Sequence, residues 1–200
     1  MQLPDSIARI AASLDLRGSP STDFDLNLDV HLPQDRVLRP ASVLIALQMV
    51  AGRAELILTK RSARLKHHPG QIAFPGGKQD DGDASAAAAA LREAQEEIGL
   101  PPAMVQVLGE LPTHETVTGY VITPVLALVR DVFDEVPEVG EVDEIFRVPL
   151  DHVVNPANFR VEARRWQGRR RYYYAVPYGP YYIWGATARI LRALAERVAR

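Results

Sequence analysis

Residues 92–100 read Arg92-Glu93-Ala94-Gln95-Glu96-Glu97-Ile98-Gly99-Leu100 and close a stretch that turns strongly helical from Asp83 onward. A run of alanines builds that helix, Asp83 or Ser85 can cap its start, and Gly99 can end it in a left-handed conformation. On a wheel at about 100° per residue, Ala87, Leu91, Ala94 and Ile98 fall on one apolar stripe. Glu93, Glu96 and Glu97 cluster on roughly the opposite side. Residues three and four apart are neighbours on a helix surface, so these carboxylates are expected to converge and repel one another. Arg92 reaches Glu96 at i,i+4, but one guanidinium cannot neutralise three acids. A hard divalent cation can, since Mg²⁺ takes carboxylate oxygens together with water and phosphate. A solvated acidic face is the other reading of the same residues.

The chain enters this helix through Phe74-Pro75-Gly76-Gly77-Lys78. Such a loop lets backbone approach a ligand closely and offers carbonyl oxygens as further ligands, or it is a plain tight turn. Pro75-Gly76-Gly77 is expected to break regular structure. Lys78 is placed to bind phosphate. Just upstream, Lys60, Arg61, Arg64, Lys66, His67 and His68 crowd into residues 60–68, which contain no acid. Forked cations suit phosphate oxygens, and a solvated basic loop is the alternative. Lys60 and Arg61, at the end of an expected strand, are the first candidates for anion binding. His67 and His68 are adjacent, and adjacent side chains rarely converge on one ion.

Two apolar runs, 42–50 and 55–59, flank Ala51-Gly52-Arg53 and read as a hairpin. Short strands are expected at 71–74, 105–111, 120–129, 145–150, 159–164 and 171–176. Amphipathic helices are expected at 1–15 and 184–199, with an irregular Pro- and Asp-rich lead-in at 16–37. The order predicts an α/β or α+β chain, a mixed sheet with helices packed on it. Residues 1–37 are expected to form a helix and lead-in packed on a main domain, 38–200. With 200 residues, 47% hydrophobic and 24% charged, one domain can bury a sizeable core.

A net charge of −2 gives no global attraction to nucleic acid or membrane, so any positive field is local. The absence of cysteine excludes disulfides, thiolate ligands and cysteine nucleophiles, and fits a reducing cytoplasm. Residues 1–17 lack a signal-peptide pattern, and the uncharged run 117–129 is too short to span a bilayer as a helix. A soluble, cytoplasmic protein is expected. Arg164-Arg165, Trp166 and Arg169-Arg170-Arg171 precede Tyr172-Tyr173-Tyr174. Basic and aromatic residues interleaved in this way can bind nucleic acid or contribute to holding a substrate phosphate, but a strand pair with an exposed basic turn is the preferred reading. Tyr181, Tyr182 and Trp184 read as core and helix start rather than as a stacking platform.

Gly77, Asp83 and the 92–100 block resemble the Nudix box, G-x5-E-x7-R-E-U-x-E-E-x-G-U, where U is a bulky aliphatic. Ala94 stands at the first U, and Asp83 replaces the first Glu, with eight rather than seven residues before Arg92. Leu58-Thr59-Lys60-Arg61-Ser62 and Gly70-Gln71-Ile72-Ala73-Phe74-Pro75-Gly76-Gly77 are similar to the segment preceding the box in the coenzyme A pyrophosphatase branch. Thr118-Gly119-Tyr120-Val121-Ile122-Thr123-Pro124-Val125 and Ile183-Trp184-Gly185-Ala186-Thr187-Ala188 resemble later stretches of the same proteins.

The resemblance implies a mixed sheet sandwiched between helices. It implies that Glu93, Glu96 and Glu97 hold one or more Mg²⁺ or Mn²⁺ ions with a carbonyl of Gly76 or Gly77, and that Arg92 steadies the glutamates. Glu93, Glu96, Glu97 and Arg92 are then the expected catalytic set, with Lys60, Arg61 and Lys78 on substrate. The implied reaction cleaves coenzyme A, or a derivative, to 3′,5′-ADP and 4′-phosphopantetheine. Glu93 or a later carboxylate, Glu115, Glu141 or Glu144, would act as general base. A Nudix hydrolase acting on ADP-ribose or another nucleoside diphosphate derivative is the alternative, and a non-catalytic Nudix-like binding module is a third. The expected partner is a small nucleotide of the coenzyme A class, neither nucleic acid nor membrane, with a homodimer left open.

Overall fold

Helix α1 (Asp5–Ala12) and strand β1 (Ser21–Thr22) precede two long strands, β2 (Arg39–Val50) and β3 (Arg53–Arg61). Short strands β4 (Ile72–Ala73) and β5 (Gly76–Lys78) lead into α2 (Ala86–Ile98). Then come β6 (Val105–Glu110), β7 (His114–Glu115), β8 (Tyr120–Val129) and β9 (Val142–Pro149). Helix α3 (Leu150–Val153), the hairpin β10 (Arg160–Trp166) and β11 (Arg169–Ala175), and helix α4 (Gly185–Val198) complete the chain. This computed structural model describes residues 3–16, 18–30, 36–166 and 168–199. Parts of the expected 1–15 helix, the 16–37 lead-in and the 165–171 turn lie outside the described residues.

Period-2 alternation in an apolar run explains the layering. In β2, Ile45 and Leu47 enter one core cluster while Leu44 and Ala46 enter another on the opposite face. Strand β8 divides likewise, with Leu126 and Leu128 on the first side and Val125, Ala127 and Val129 on the second. Strands covered on both faces read as continuous apolar runs. The two pair in parallel from Arg39↔Tyr120 to Gln48↔Val129. Helix α2 covers one face through Ala90, Ala94 and Ile98. The other face is covered by Ile7 and Ile10 of α1 and by Ile190, Leu191 and Leu194 of α4. The expected mixed sheet between helices is therefore the observed architecture, with nine strands in the main sheet among the described residues.

The β2–β3 hairpin turns at Ala51-Gly52, both at positive φ, as a two-residue turn between right-twisted strands requires. Its strands pair only near that turn, from Val50↔Arg53 to Leu47↔Leu56. Beyond it they part, and residues 72–78 fill the gap. Strand β4 pairs with β3 at Thr59↔Ala73, and β5 pairs with β2 at Val43↔Gly76 and Ser42↔Gly77. Pro75 closes the seam by accepting a hydrogen bond from Leu44 N at 2.8 Å. Pro75-Gly76-Gly77 thus does not end regular structure as expected: Pro75 needs no donor there, and the glycines form a strand.

Candidate active site

Helix α2 starts at Ser85, whose hydroxyl accepts from Ala88 N, and stops at Gly99 with φ 72°. A side-chain cap of this kind contributes about 1 kcal/mol. Asp83, the other cap candidate, has different work. The wheel is right about Ala94 and Ile98 but wrong about one glutamate: Glu97 is 4% exposed. Its carboxylate turns under the glycine strand, accepting a hydrogen bond from Gly76 N at 3.0 Å, with Arg61 Nη1 at 3.8 Å. Burial pushes its pKa up to about 7, against the opposing pull of the Gly76 N–H and Arg61.

Glu93 lies one turn earlier on the same side. A methyl group placed on Gly77 would sit 2.5 Å from its carboxyl carbon, and one on Gly76 would sit 2.4 Å from Ser42 O. Glycine is required at both places because backbone and carboxylate press against the Cα atoms. Consecutive glycines therefore touch consecutive turns of α2, Gly76 at Glu97 and Gly77 at Glu93. Burial also raises the Glu93 pKa, opposed by Arg92.

Arg92 is the hub. Its Nη1 donates to Glu93 Oε1 at 3.0 Å and to Glu96 Oε2 at 3.2 Å. Its Nε and Nη2 grip the two oxygens of Asp83 at 3.1 and 3.0 Å, and Nη2 also donates to Lys78 O at 3.1 Å. The longer spacing from Asp83 to Arg92 thus ends in a bidentate pair, which holds the Asp83 carboxyl below the ordinary range. The expected meeting of all three glutamates at one spot is not what is found. Arg92 gathers Glu93 and the exposed Glu96, while burial and the Gly76 N–H take Glu97. Among the described residues, no three acidic or imidazole side chains form a ready metal cage. The donors nonetheless suit a hard cation: carboxylate oxygens from Glu93 and Glu97 flank one glycine strand, and Glu97 is a buried acid that faces Arg61 at 3.8 Å.

A cavity of about 350 Å³ opens beside this strand. Gly76, Gly77, Lys78, Arg61 and His68 line one part of it; Asp23, Arg164, Arg171, Tyr173 and Trp184 line another. Lys60 is not among the lining residues. Successive strand residues point to opposite faces, and Arg61 takes the cavity side while Lys60 acts on Asp143. Asp143 also answers the basic loop, accepting from Ala63 N at 2.9 Å. Of the later acids, Glu115 pairs with Arg36 and Glu144 accepts from Tyr181 Oη, whereas Glu141 contributes to raising the Glu97 pKa. Tyr181 stacks on Phe146 as expected of core, and Trp184 begins α4 as expected while also lining the cavity. Sequence reading gave Asp23 no role, and it preferred an exposed basic turn and a helix start for the segments that bring Arg164, Arg171, Tyr173 and Trp184 to the cavity. The signal for Arg171 and Tyr173 was the run Arg169-Arg170-Arg171-Tyr172-Tyr173-Tyr174 along β11.

Residues 38–171 match the NUDIX domain family. The chain is 39% identical over 184 residues to a protein of Citrobacter koseri named uncharacterized Nudix hydrolase NudL, covering 86% of this chain and 95% of the relative. The protein of the same name from Escherichia coli K12 is 38% identical over the same shares. Among solved structures, RenU, a Nudix hydrolase from M. smegmatis, superposes with a TM-score of 0.50 at 25% identity, covering 60% of this chain and 83% of RenU. A MutT/nudix family protein from Enterococcus faecalis covers 99% of this chain and 76% of its own at a TM-score of 0.52 and 14% identity, a likeness of fold alone. With the box carboxylates and the glycine strand assembled as above, the chain belongs to the Nudix family and is a Nudix hydrolase.

Proposed function

We propose that this Nudix hydrolase cleaves the pyrophosphate of coenzyme A or a close derivative, releasing 3′,5′-ADP and 4′-phosphopantetheine. The observation that carries the reading is the contact of Glu93 and Glu97 with Gly77 and Gly76, at the edge of a cavity that also presents Arg61 and Lys78. Nudix hydrolases generally require divalent cations. Here Glu93, Glu96, Glu97 and a Gly76 carbonyl are the oxygens that would hold Mg²⁺ or Mn²⁺. When bound, such an ion supplies neutralisation of pyrophosphate oxygens and a water of lowered pKa.

The rest falls to the chain's own groups. Arg92 is a positioning residue, fixed by Asp83 and fixing Glu93 and Glu96. Arg61 and Lys78 offer cations to the diphosphate from the cavity wall, and fixed charge aimed at a developing anion is the largest contribution in phosphoryl transfer. Lys60, turned away from the cavity, adds field rather than contact. Of the later carboxylates, Glu115 and Glu144 are tied to partners, which makes Glu141 the one to test as proton acceptor. No helix among the described residues is long and apolar enough to cross a membrane.

Purified protein with Mg²⁺ or Mn²⁺ and coenzyme A should yield both products on chromatography. Intact coenzyme A beside cleaved ADP-ribose or nucleoside triphosphate would reject the substrate. No turnover of any of these would favour a binding module instead.

A further inference from the structure

The β10–β11 hairpin is a two-stranded sheet separate from the main one, yet it supplies part of the cavity wall. Its register sets Arg164 opposite Arg171 and Glu162 opposite Tyr173. Side chains two apart share a strand face, so Arg164, Arg171 and Tyr173 stand together. Trp184, the residue capping α4, completes the wall. The Arg164 guanidinium carbon lies 4.3 Å from the Trp184 ring centroid and 6.0 Å from that of Tyr173. The two rings meet edge to face, 5.2 Å apart.

Two features of this wall ask for a ligand. Like charges directly across a strand pair destabilise it, and here both belong to cavity-lining arginines. Among the described lining residues Asp23 is the one carboxylate, set against Arg61, Lys78, Arg164 and Arg171. Asp23 is also heavily engaged, accepting from Val117 N at 2.9 Å and lying 3.3 Å from His114 Nε2 and 3.8 Å from Arg171. Burial holds Arg171 below its ordinary pKa, Arg164 pushing the same way and Asp23 opposing. In a chain with net charge −2 this cationic excess is local, and it comes with two flat rings.

We propose that this wall is a nucleotide subsite: a base stacks on Trp184 in place of the Arg164 guanidinium, and Arg164 with Arg171 takes a phosphate carried on the ribose apart from the diphosphate. Base–aromatic stacking needs only an exposed ring face, and an arginine fork suits phosphate geometry. The inference builds on the coenzyme A reading and places that substrate's nucleotide end on the hairpin.

The chain has two tryptophans, so W166F leaves Trp184 as the sole indole reporter. Trp184 fluorescence in that background, with Mg²⁺ present, is to be titrated with 3′,5′-ADP and separately with 5′-AMP. Neither carries a pyrophosphate bond, so binding is read without turnover. Quenching by both is expected, with 3′,5′-ADP bound about 10- to 100-fold more tightly, the value of charge-assisted hydrogen bonds. R164A, at an exposed position, should remove most of that preference, and R164K should restore part of it. Equal affinities in W166F, or an undiminished preference in R164A, would overturn the subsite. Coenzyme A cleavage is scored separately: an Arg164-dependent preference without cleavage sinks the substrate and keeps the subsite, and cleavage without the preference does the reverse.

Discussion

The cavity wall formed by the glycine strand and backed by α2 (the α2 wall) takes its chemistry from residues 76–97, a short stretch folded back on itself, whereas the hairpin wall draws on Asp23, Arg164, Arg171, Tyr173 and Trp184 from distant parts of the chain. In the first, Glu93 and Glu96 share Arg92 through helical spacing, and Glu97 takes the Gly76 N–H. In the second, strand register and the docking of α4 decide which side chains meet. The contrast separates two kinds of constraint. Holding carboxylates for a cation needs sub-ångström placement that local geometry supplies, while gripping the far end of a substrate tolerates parts assembled by tertiary structure.

If that division is right, damage to the α2 wall should strike turnover first. E97Q keeps shape and removes charge, so it should cost roughly 10²- to 10³-fold in kcat without lowering the melting temperature. An unchanged kcat would break the comparison at its centre. G77A must displace Glu93 and should lower activity by about 10- to 100-fold with weakened metal affinity, a loss on the scale of disturbed ligand support. G82A, where an added methyl meets nothing within 4 Å, is its control and should behave as wild type. D83N loosens Arg92 and should cost about 10-fold in kcat with KM nearly unchanged; a rise in KM alone would assign Asp83 to substrate instead.

The smallest expected effect sharpens the comparison through pH, because the two walls carry acids shifted in opposite directions. Glu97 is raised to about 7, so without metal the folded state binds the extra proton. Stability from this group is full below about 4.5 and is lost as pH rises to about 7. At Asp23 burial pushes upward, but the hydrogen bond and charge of His114, the Val117 N–H and Arg171 prevail and lower its pKa. Its contribution is present above 3.8 and is lost as pH falls below that value. Thermal melts in EDTA should show E97Q abolishing the loss between pH 4.5 and 7, and D23N reducing the loss at acid pH. Identical pH profiles for wild type and E97Q would show that Glu97 is not held as described.

Much of this was legible in the residues. The hairpin at Ala51-Gly52, the extent of β8 and the span of α2 follow from periodicity and turn chemistry, which are local. Strands β1 and β7 were not seen, since two residues carry no period and their parallel pairing, Ser21↔His114, joins distant parts of the chain. The burial of Glu97 was hidden for a related reason: a helical wheel separates polar from apolar faces but does not reveal that a glycine strand will cover one acid. The cavity side of Arg61 as against Lys60 depended on strand pairing, and the facing of Trp184 on how α4 docks.

The claim that Glu97 and Glu93 across the glycine strand hold the divalent ion is tested most directly by calorimetric titration of Mn²⁺ into wild type and E97Q at matched pH. Binding in wild type, weakened about 10-fold or more in E97Q, is the result required. Equal Mn²⁺ affinity in both proteins would contradict it.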